Sequence, residues 1–359
     1  MSTPVTRLLR IDHPVIQAPM AGGITTPGLV AAVSNAGGLG SLGAGYMAPE
    51  ALRKAVSEIR SLTQRPFAVN LFVPEPFDEA SARVRRVNEL MEPYRAELGI
   101  GIPDEVGAYA RSFADQLAVV IEERVPVFSF TFGVPAEEQT SSLKEAGTAV
   151  IGTATTVREA LTLEAAGVDA VTGQGAEAGG HRGTFLGDFA DATVGTFALI
   201  PQLADALRIP VIASGGVADG RGLAAALMLG AGAVQMGTAF LACEESGAHP
   251  EYKRAVLEAT EESTAITRAF SGKPARAIRN RFLKEMEDHE GEIPPYPIQN
   301  AWTKDIRDAA KEQSRPEFMS LWAGQAAGLS RPASAAEVVE SVVAGAQAAL
   351  RRGEADSSL

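Results

Sequence analysis

Cysteine is almost absent from the sequence, since Cys243 is the only one in 359 residues. A single cysteine cannot form an intrachain disulfide or a multi-cysteine metal site, and this composition is typical of a reducing compartment. Basic residues are also in deficit, because 32 Lys and Arg stand against 44 Asp and Glu and give a net charge of −12. That charge argues against nucleic acids and anionic membranes as partners, since both attract cationic surfaces.

Long hydrophobic runs are missing as well. The most apolar stretches are interrupted by Gly, Pro or Asp, so none is long enough to span a membrane. The N-terminus, MSTPVTRLLRIDHPV, has no apolar core of the kind found in signal peptides. Only four histidines occur, and no group of His, Asp and Glu has the spacing of a metal site. We therefore expect a cytoplasmic protein that binds neither a metal nor a membrane.

The sequence does contain a regular alternation of two patterns. Short runs rich in Val, Ile and Ala, typical of buried parallel strands, alternate with longer segments of helical periodicity. Eight such runs occur, at residues 14–20, 37–45, 66–74, 125–133, 148–155, 168–175, 209–216 and 231–240. Eight strands in alternation with helices predict an α/β fold of the (β/α)8 or TIM-barrel type.

Two segments interrupt this alternation, one after the third strand and one after the eighth. Loops at the carboxyl ends of barrel strands build the sites of such folds, so we predict helical insertions that form a cap over the C-terminal face. The predicted parts are an FMN-binding barrel (1–74, 116–240 and 331–352), a helical insertion (75–115), a cap and substrate segment (241–330) and a flexible tail (353–359).

The seventh and eighth strands both end in small residues, ASGG (213–216) and QMGT (235–238). In TIM barrels the loops after these strands commonly bind a phosphate through backbone N–H groups and a helix N-terminus. Gly215 and Gly216 would let the backbone approach the anion, and Thr238 would add a hydroxyl. Two adjacent turns of this composition favour a phosphate site over ordinary tight turns.

The stretch GQGAEAGGHRG (173–183), which follows the sixth strand, combines five glycines with His181. Such bare backbone suggests close contact with a flat ligand, and His181 is the only nearby side chain that titrates near neutrality. Gln174 and, in the third strand, Asn70 place amides where they could bond the pyrimidine edge of a flavin ring. No dinucleotide fingerprint occurs in a strand-to-helix context, so these features favour flavin mononucleotide, FMN.

Several motifs occur together in one order along nearly the whole chain. They are PVIQAPMAGG, SLGAGYMAPE, GQGAEAGGHRG and IPVIASGGVADGRGLAAALMLGAGAVQMGTAFL, followed by FSGKPARAIRNRF and YPIQN. In these motifs the chain resembles the nitronate monooxygenases, formerly called 2-nitropropane dioxygenases. The resemblance implies an FMN-dependent barrel enzyme that oxidises alkyl nitronates, such as propionate 3-nitronate, with O2 to carbonyl compounds and nitrite or nitrate. Neutral nitroalkanes are a further potential substrate.

The resemblance also implies roles for particular residues. His181 is the expected active-site histidine, which would stabilise the bound anion or abstract the α-proton of a nitroalkane. Tyr296 and Lys304 are weaker candidates for substrate contact, since a lysine such as Lys304 is more often solvated. The expected cofactor-binding residues are Met20, Ala21, Gly22, Asn70, Gln174, Gly179, Gly180, Gly215, Gly216, Gln235, Met236, Gly237 and Thr238.

One position departs from the family pattern. Some relatives have a histidine inside the S-F-x-F-G run of the fourth strand, where this chain has Thr131. We therefore expect a substrate pocket that differs from theirs. The expected partners are small molecules, the nitronate and O2, and the expected oligomeric state is a monomer or a homodimer.

Two other functions stay open on the sequence alone. An FMN-dependent enoyl-acyl carrier protein reductase has a similar EAGGH loop and phosphate end, and it would act as an NAD(P)H oxidoreductase. A non-catalytic flavin-binding protein would hold the cofactor without turnover. Flavin reduction by NAD(P)H would identify the first, and a bound flavin that no nitronate reduces would identify the second.

Overall fold

The computed structural model describes residues 1–77, 82–103, 106 and 109–356 of the chain. Its strands are β1 (Val15–Gln17), β2 (Gly40–Gly43), β3 (Phe67–Phe72), β4 (Val127–Thr131), β5 (Ala149–Ala154), β6 (Ala170–Gln174), β7 (Gly180–His181), β8 (Val211–Ser214), β9 (Ala233–Met236), β10 (Thr264–Thr267) and β11 (Ala275–Ile278). Its helices are α1 (Pro4–Leu9), α2 (Pro27–Asn35), α3 (Pro49–Leu62), α4 (Ala82–Leu98), α5 (Phe113–Glu122), α6 (Glu137–Glu145), α7 (Val157–Ala165), α8 (Thr196–Ala206), α9 (Gly220–Met228), α10 (Pro250–Glu258), α11 (Arg281–Met286), α12 (Ile298–Trp302), α13 (Lys304–Glu312) and α14 (Ala335–Asp356).

Eight of the strands form one parallel sheet in the order β1-β9-β8-β6-β5-β4-β3-β2. The sheet closes on itself because Ile16 in β1 bridges Leu39 beside β2, and the Gln17 N–H donates to the Leu39 carbonyl at 2.9 Å. One helix packs behind each barrel strand, namely α2, α3, α5, α6, α7, α8, α9 and α14. The predicted (β/α)8 barrel is confirmed.

The amino end of the barrel is filled by apolar side chains. Val5 and Leu9 of α1 cluster with Ile16, Ile151 and Ile212, whose side chains point into the barrel from its strands. This plug leaves the carboxyl end of the strands as the end that can hold a site. In the described ranges, no helix is both long and apolar enough to cross a membrane.

The two insertions share one hydrophobic core above the carboxyl ends of the strands. Val87, Met91 and Tyr94 of α4, from the first insertion, pack in the same cluster as Phe282 and Met286 of α11, from the second. The rings of Tyr94 and Phe282 lie 4.8 Å apart between centroids. We therefore describe the segments around α4 and α10–α13 together as the cap.

A small second sheet joins the cap to the barrel. The strands β10 and β11 form an antiparallel hairpin, and β11 pairs with the two-residue strand β7, so that Ala275 lies opposite His181. The glycine-rich stretch predicted as a loop thus contains a short strand, which the cap hairpin completes by hydrogen bonding.

The C-terminal helix is longer than predicted. Helix α14 ends at Asp356, so residues 353–356, expected to form part of a flexible tail, continue the helix. Each residue added to an existing helix gains a backbone hydrogen bond, which favours such continuation. Residues 357–359 of the predicted tail lie outside the described residues.

One buried cation links the two insertions, and we expect its loss to destabilise the cap. Arg95 of α4 is fully buried and donates to the Asp305 carboxylate at 2.7 Å and to the Trp302 carbonyl at 2.8 Å. Arg95→Leu removes both donors and should lower the free energy of unfolding by about 2–3 kcal/mol, as expected for hydrogen bonds to charged groups. Urea unfolding followed by tryptophan fluorescence measures this loss.

A matched control is available on the same helix. Arg86 forms an exposed ion pair with Glu292 of the second insertion. Arg86→Leu should change the free energy of unfolding by less than about 1 kcal/mol, because solvent screens exposed pairs. Equal losses in the two variants would contradict the role assigned to Arg95.

Candidate active site

One large cavity lies at the carboxyl ends of the barrel strands, beneath the cap. It encloses about 1260 Å³ of unfilled space when its open mouth is included. Sites for small ligands and cofactors typically occupy about 300–1,000 Å³, so the cavity has room for a ligand of that size. Of the thirteen residues predicted to bind a cofactor, twelve line it, and His181 lines it with them.

One end of the cavity is a cradle of backbone N–H groups. The N–H groups of Gly215, Gly216, Gly237 and Thr238 donate to no acceptor within the described part of the chain. Gly215 and Gly216 have φ values of 102° and 72°, a left-handed conformation that side chains disfavour. The Thr238 hydroxyl accepts the Gly324 N–H at 2.9 Å and keeps its own proton for a ligand. This end of the cavity is therefore built to receive an anion.

Helix α9, which follows β8, does not supply the helix N-terminus predicted for the phosphate site. Asp219 caps α9 by accepting from the N–H groups of Arg221 and Gly222 at 2.9 and 3.3 Å. The helical donor at the cradle is instead the single 3₁₀ turn Thr238–Phe240, which begins directly after β9. The anion site therefore depends on the two turns rather than on α9.

The side-chain amides of Asn70 and Gln174 differ in whether they have hydrogen-bonding groups free to bind a ligand. Asn70 donates to the Ser129 hydroxyl at 3.0 Å, and its carbonyl oxygen, which has no partner among the described residues, is open to the cavity. Gln174 donates to the His181 carbonyl at 3.0 Å and accepts the Gly183 N–H at 2.8 Å. Gln174 thus holds the loop that carries His181, whereas Asn70 presents an acceptor to a ligand.

The glycines of this loop mostly contact protein rather than the cavity. A Cβ at Gly175 would collide with Thr196, one at Gly179 with the backbone of residues 323–324, and one at Gly183 with Thr153. Gly180 alone among the five glycines of 173–183 has free space where a Cβ would lie. The expectation that this bare backbone serves contact with a flat ligand is therefore too simple, because close packing of the loop on the barrel and cap requires most of it.

His181 lies in a box of aromatic rings at the cavity wall. Its ring centroid lies 5.2 Å from that of Trp322, 5.9 Å from Phe132 and 6.1 Å from Tyr296. Its Nε2 lies 2.8 Å from the Ser271 hydroxyl. Burial, together with the nearby cations of Lys273 and Arg307, lowers the pKa of His181 to about 3. The ring is therefore neutral at physiological pH.

Two cap cations surround this histidine. Lys273 lies 4.6 Å above the Phe132 ring centroid and pairs with Glu75 at 2.8 Å. Arg307 donates to backbone and side-chain oxygens of Thr303 and Asn300. Its Nη1 has no partner among the described residues. Glu75 offsets the charge of Lys273, so Arg307, which forms no ion pair within the described residues, is the cation near His181 whose charge is not directly paired.

Three predicted residues are not in the cavity lining. Gly22 lies in an exposed turn with φ +82°. The Lys304 side chain is 69% exposed and pairs with Asp308 on its own helix, which corrects its expected place at the substrate. Tyr296 lies behind the lining, where it interacts with Tyr46, which does line the cavity.

Sequence reasoning missed most of the cap residues near His181. Ser271, Lys273 and Trp322 come from loops without a regular pattern, and Arg307 lies only one helical turn from the predicted Lys304. The motifs FSGKPARAIRNRF and SLGAGYMAPE, which contain Ser271, Lys273 and Tyr46, were the one signal that could have drawn attention to them. Arg182, which follows His181 in the glycine-rich stretch, is buried and anchors the loop.

Fold and site together define a TIM barrel with a ligand-sized cavity at the carboxyl ends of its strands, where enzymes of this fold have their active sites. Comparison with known proteins then gives the family. The sequence model of the family Nitronate monooxygenase matches residues 2–345. A probable nitronate monooxygenase of Staphylococcus saprophyticus subsp. saprophyticus is 45% identical over 354 residues, which cover 98% of this chain and 99% of that protein.

Solved structures agree with this assignment. A nitroalkane oxidase from Streptomyces ansochromogenes has a TM-score of 0.90 and 40% identity, covering 98% of this chain and 99% of its own. FabK from Thermotoga maritima has a TM-score of 0.80 and 36% identity, with 99% of both chains covered. The chain belongs to the nitronate monooxygenase family and is an oxidoreductase, which confirms the resemblance found in its motifs. Membership implies a flavin cofactor.

The neutral state of His181 predicts a loss of stability in acid. The pKa of His181 is about 3 in the folded chain, whereas an unfolded histidine titrates near pH ~6.5. Between these values the folded state binds fewer protons than the unfolded state, so the free energy of unfolding falls as the pH is lowered from about 6.5 towards 3. His181→Asn should remove this contribution.

Urea unfolding of flavin-free protein at a series of pH values measures the effect. The curve of stability against pH should be steeper in the wild type than in His181→Asn over this window. Parallel curves would show that His181 gains its proton in the folded state as readily as in the unfolded state.

Proposed function

We propose that this protein is an FMN-dependent nitronate monooxygenase, which oxidises alkyl nitronates such as propionate 3-nitronate with O2 to carbonyl compounds and nitrite or nitrate. The observation that carries the proposal is the composition of the large cavity beneath the cap. A neutral histidine flanked by two cations lies in the same cavity as a cradle of free backbone N–H groups. The first arrangement suits a small anionic substrate and the second suits a phosphate.

The cradle supports FMN as the particular flavin. The free N–H groups of Gly215, Gly216, Gly237 and Thr238 converge on one place, which suits one phosphate group. The open carbonyl oxygen of Asn70 is an acceptor suited to an N–H of the flavin ring. These residues would hold FMN, and when bound, FMN would accept electrons from the nitronate and deliver them to O2.

The cap cations would attract the substrate from behind the cavity lining. A nitronate carries a negative charge, and Lys273, paired with Glu75, and Arg307 both lie near enough to His181 to lower its pKa. Because the surroundings of His181 are buried, the attraction of these cations is screened less than at an open surface. The rings of Phe132 and Trp322, which line the cavity, would contact the alkyl part of the substrate.

His181 serves a neutral nitroalkane differently from a preformed nitronate. A nitroalkane must lose its α-proton, and a neutral imidazole can accept it. A preformed nitronate needs no base, and its charge would favour the protonated, cationic ring. Proton transfer to His181 thus converts a nitroalkane into the anion that the surrounding cations attract.

Anaerobic mixing of the purified holoenzyme with alkyl nitronates tests the proposed function. Nitronates should bleach the oxidised flavin absorbance, and readmitted O2 should restore it with release of nitrite or nitrate. NADPH and NADH are mixed with the holoenzyme in a parallel experiment, because the reductase alternative predicts bleaching by NAD(P)H and none by nitronates. Bleaching by neither would favour the non-catalytic flavin-binding alternative.

A pair of substitutions at Thr238 tests the assignment of FMN. Thr238→Val removes the hydroxyl aimed at the cradle, and Thr238→Ser retains it. Loss of a hydrogen bond to a charged group costs about 1.5–3 kcal/mol, so Thr238→Val should weaken FMN binding roughly 10- to 100-fold. Riboflavin, which lacks the phosphate, should bind both variants and the wild type with similar affinity.

Fluorescence titration of apoprotein with FMN and with riboflavin measures the two affinities. The ratio of the two affinities reports the contribution of the phosphate to binding, because a general distortion of the site would weaken the binding of both ligands. A ratio that Thr238→Val leaves unchanged would place the phosphate elsewhere.

A further inference from the structure

Ser271 is a buried serine that touches the ring of His181 from the cap. It lies in the turn between β10 and β11, its side chain is 1% exposed, and its Oγ is 2.8 Å from His181 Nε2. Because β11 pairs with β7 opposite His181, the turn that contains Ser271 is joined to the strand that contains His181. Their contact is therefore held by backbone hydrogen bonds and not by flexible side chains alone.

The surroundings of Ser271 indicate which way its hydroxyl points. The hydroxyl can donate to the Lys273 carbonyl at 3.2 Å, and the Lys273 N–H donates to Oγ at 3.4 Å. A hydroxyl has one proton and two lone pairs. If the proton goes to the Lys273 carbonyl, both lone pairs accept, one from the Lys273 N–H and one from a protonated Nε2 of His181.

The opposite arrangement leaves a group unpaired. If the hydroxyl donated to His181 Nε2, the Lys273 carbonyl would lose its only donor within the described residues. The first arrangement makes three hydrogen bonds at the Ser271 hydroxyl and the second makes two, so the first is favoured. Hydrogen-bond counting thus assigns the proton of the neutral His181 ring to Nε2.

The other ring nitrogen is then the functional one. His181 Nδ1 has no hydrogen-bond partner among the described residues, and it is not among their fully buried atoms. Since His181 lines the cavity, this unprotonated nitrogen is open to a ligand there. The contact of Nε2 with Ser271 favours this orientation of the ring, because a ring turned over would place Cε1 against the hydroxyl.

We propose that Ser271 is a positioning residue that fixes His181 as the Nε2–H tautomer and so presents Nδ1 as the proton acceptor for a neutral nitroalkane. The inference rests on the proposed function. In the step it describes, the bond between the α-carbon and its hydrogen breaks and its electron pair stays on the substrate as the nitronate. The proton goes to Nδ1, and the Nε2–H of the resulting imidazolium keeps donating to Ser271.

Nuclear magnetic resonance of holoenzyme with ¹⁵N-labelled histidine tests the tautomer directly. The chain has four histidines, so the ring signals of His181 can be assigned by their absence in His181→Asn. The wild type should show Nε2–H with a ring proton protected from exchange, Ser271→Ala should lose that protection, and Ser271→Thr should keep it. An Nδ1–H tautomer in the wild type, or a ring signal that Ser271→Ala leaves unchanged, overturns the proposal.

Kinetics on matched nitroalkane and nitronate pairs test the consequence. Residues that hydrogen-bond to a metal-binding histidine and orient its ring typically change metal affinity or activity by about 10- to 100-fold when they are mutated. We expect Ser271→Ala to lower kcat for the nitroalkane by a similar factor. Its KM and the retention of FMN should change little, kcat for the preformed nitronate should fall less, and Ser271→Thr should restore the rate. Equal losses on both substrates would indicate a merely structural role and would overturn the proposal.

Together, these experiments distinguish a failure of this inference from a failure of the proposed function. If no nitronate bleaches the flavin of the wild type, the proposed function is contradicted, while the magnetic resonance experiment still reports the tautomer of His181. A wild type that oxidises nitronates but no nitroalkane keeps the function and overturns the proton transfer.

Discussion

The buried guanidinium of Arg182 ties together the backbone on which the site is built. It donates to the carbonyls of Gln174 and Ala192, both at 3.0 Å, and to that of Gly175. Burial lowers its pKa to about 10, which still leaves it charged at neutral pH. The Gly175 carbonyl also accepts the Ala178 N–H at 3.1 Å, so Arg182 adds a second donor there, and loss of donors to buried carbonyls is costly in an apolar interior. One cation therefore holds the end of β6, the start of its loop and the approach to α8 in a fixed relation.

The loop so held connects the barrel to the cap. Glu177 accepts the N–H and hydroxyl of Thr196 at 2.9 Å and thereby caps α8, while β7 pairs with β11 of the cap. The side-chain amide of Gln174 hydrogen-bonds to the His181 carbonyl and the Gly183 N–H of the same loop. His181 is thus placed by contacts on both sides of the cavity, so its orientation depends on the cap as much as on the barrel.

Barrel and cap contribute different chemistry to the same cavity. The barrel supplies neutral backbone donors in the lining at Gly215, Gly216 and Gly237, whereas the cap places the charged groups Lys273 and Arg307 behind the lining, near His181. Neutral donors in turns suit a cofactor phosphate that stays bound. Side-chain cations above the cavity suit an anion that enters and leaves. This division follows the usual one in TIM barrels, where the strand ends hold the cofactor and inserted loops vary the substrate.

The fold and the glycine-rich end of the cavity could be predicted because their signals are local. Strand and helix periodicities are read within a few residues, and eight alternations are characteristic of a closed barrel. Gly215, Gly216 and His181 were found from short glycine-rich stretches at strand ends. The sequence could not show that Arg307, and not Lys304, is the cation near His181, because the packing of α13 against α4 decides which face of that helix is buried. Nor could it show that Ser271 meets a histidine 90 residues away. That contact exists only because β11 pairs with β7, and pairing between strands distant in the chain is decided by the tertiary structure.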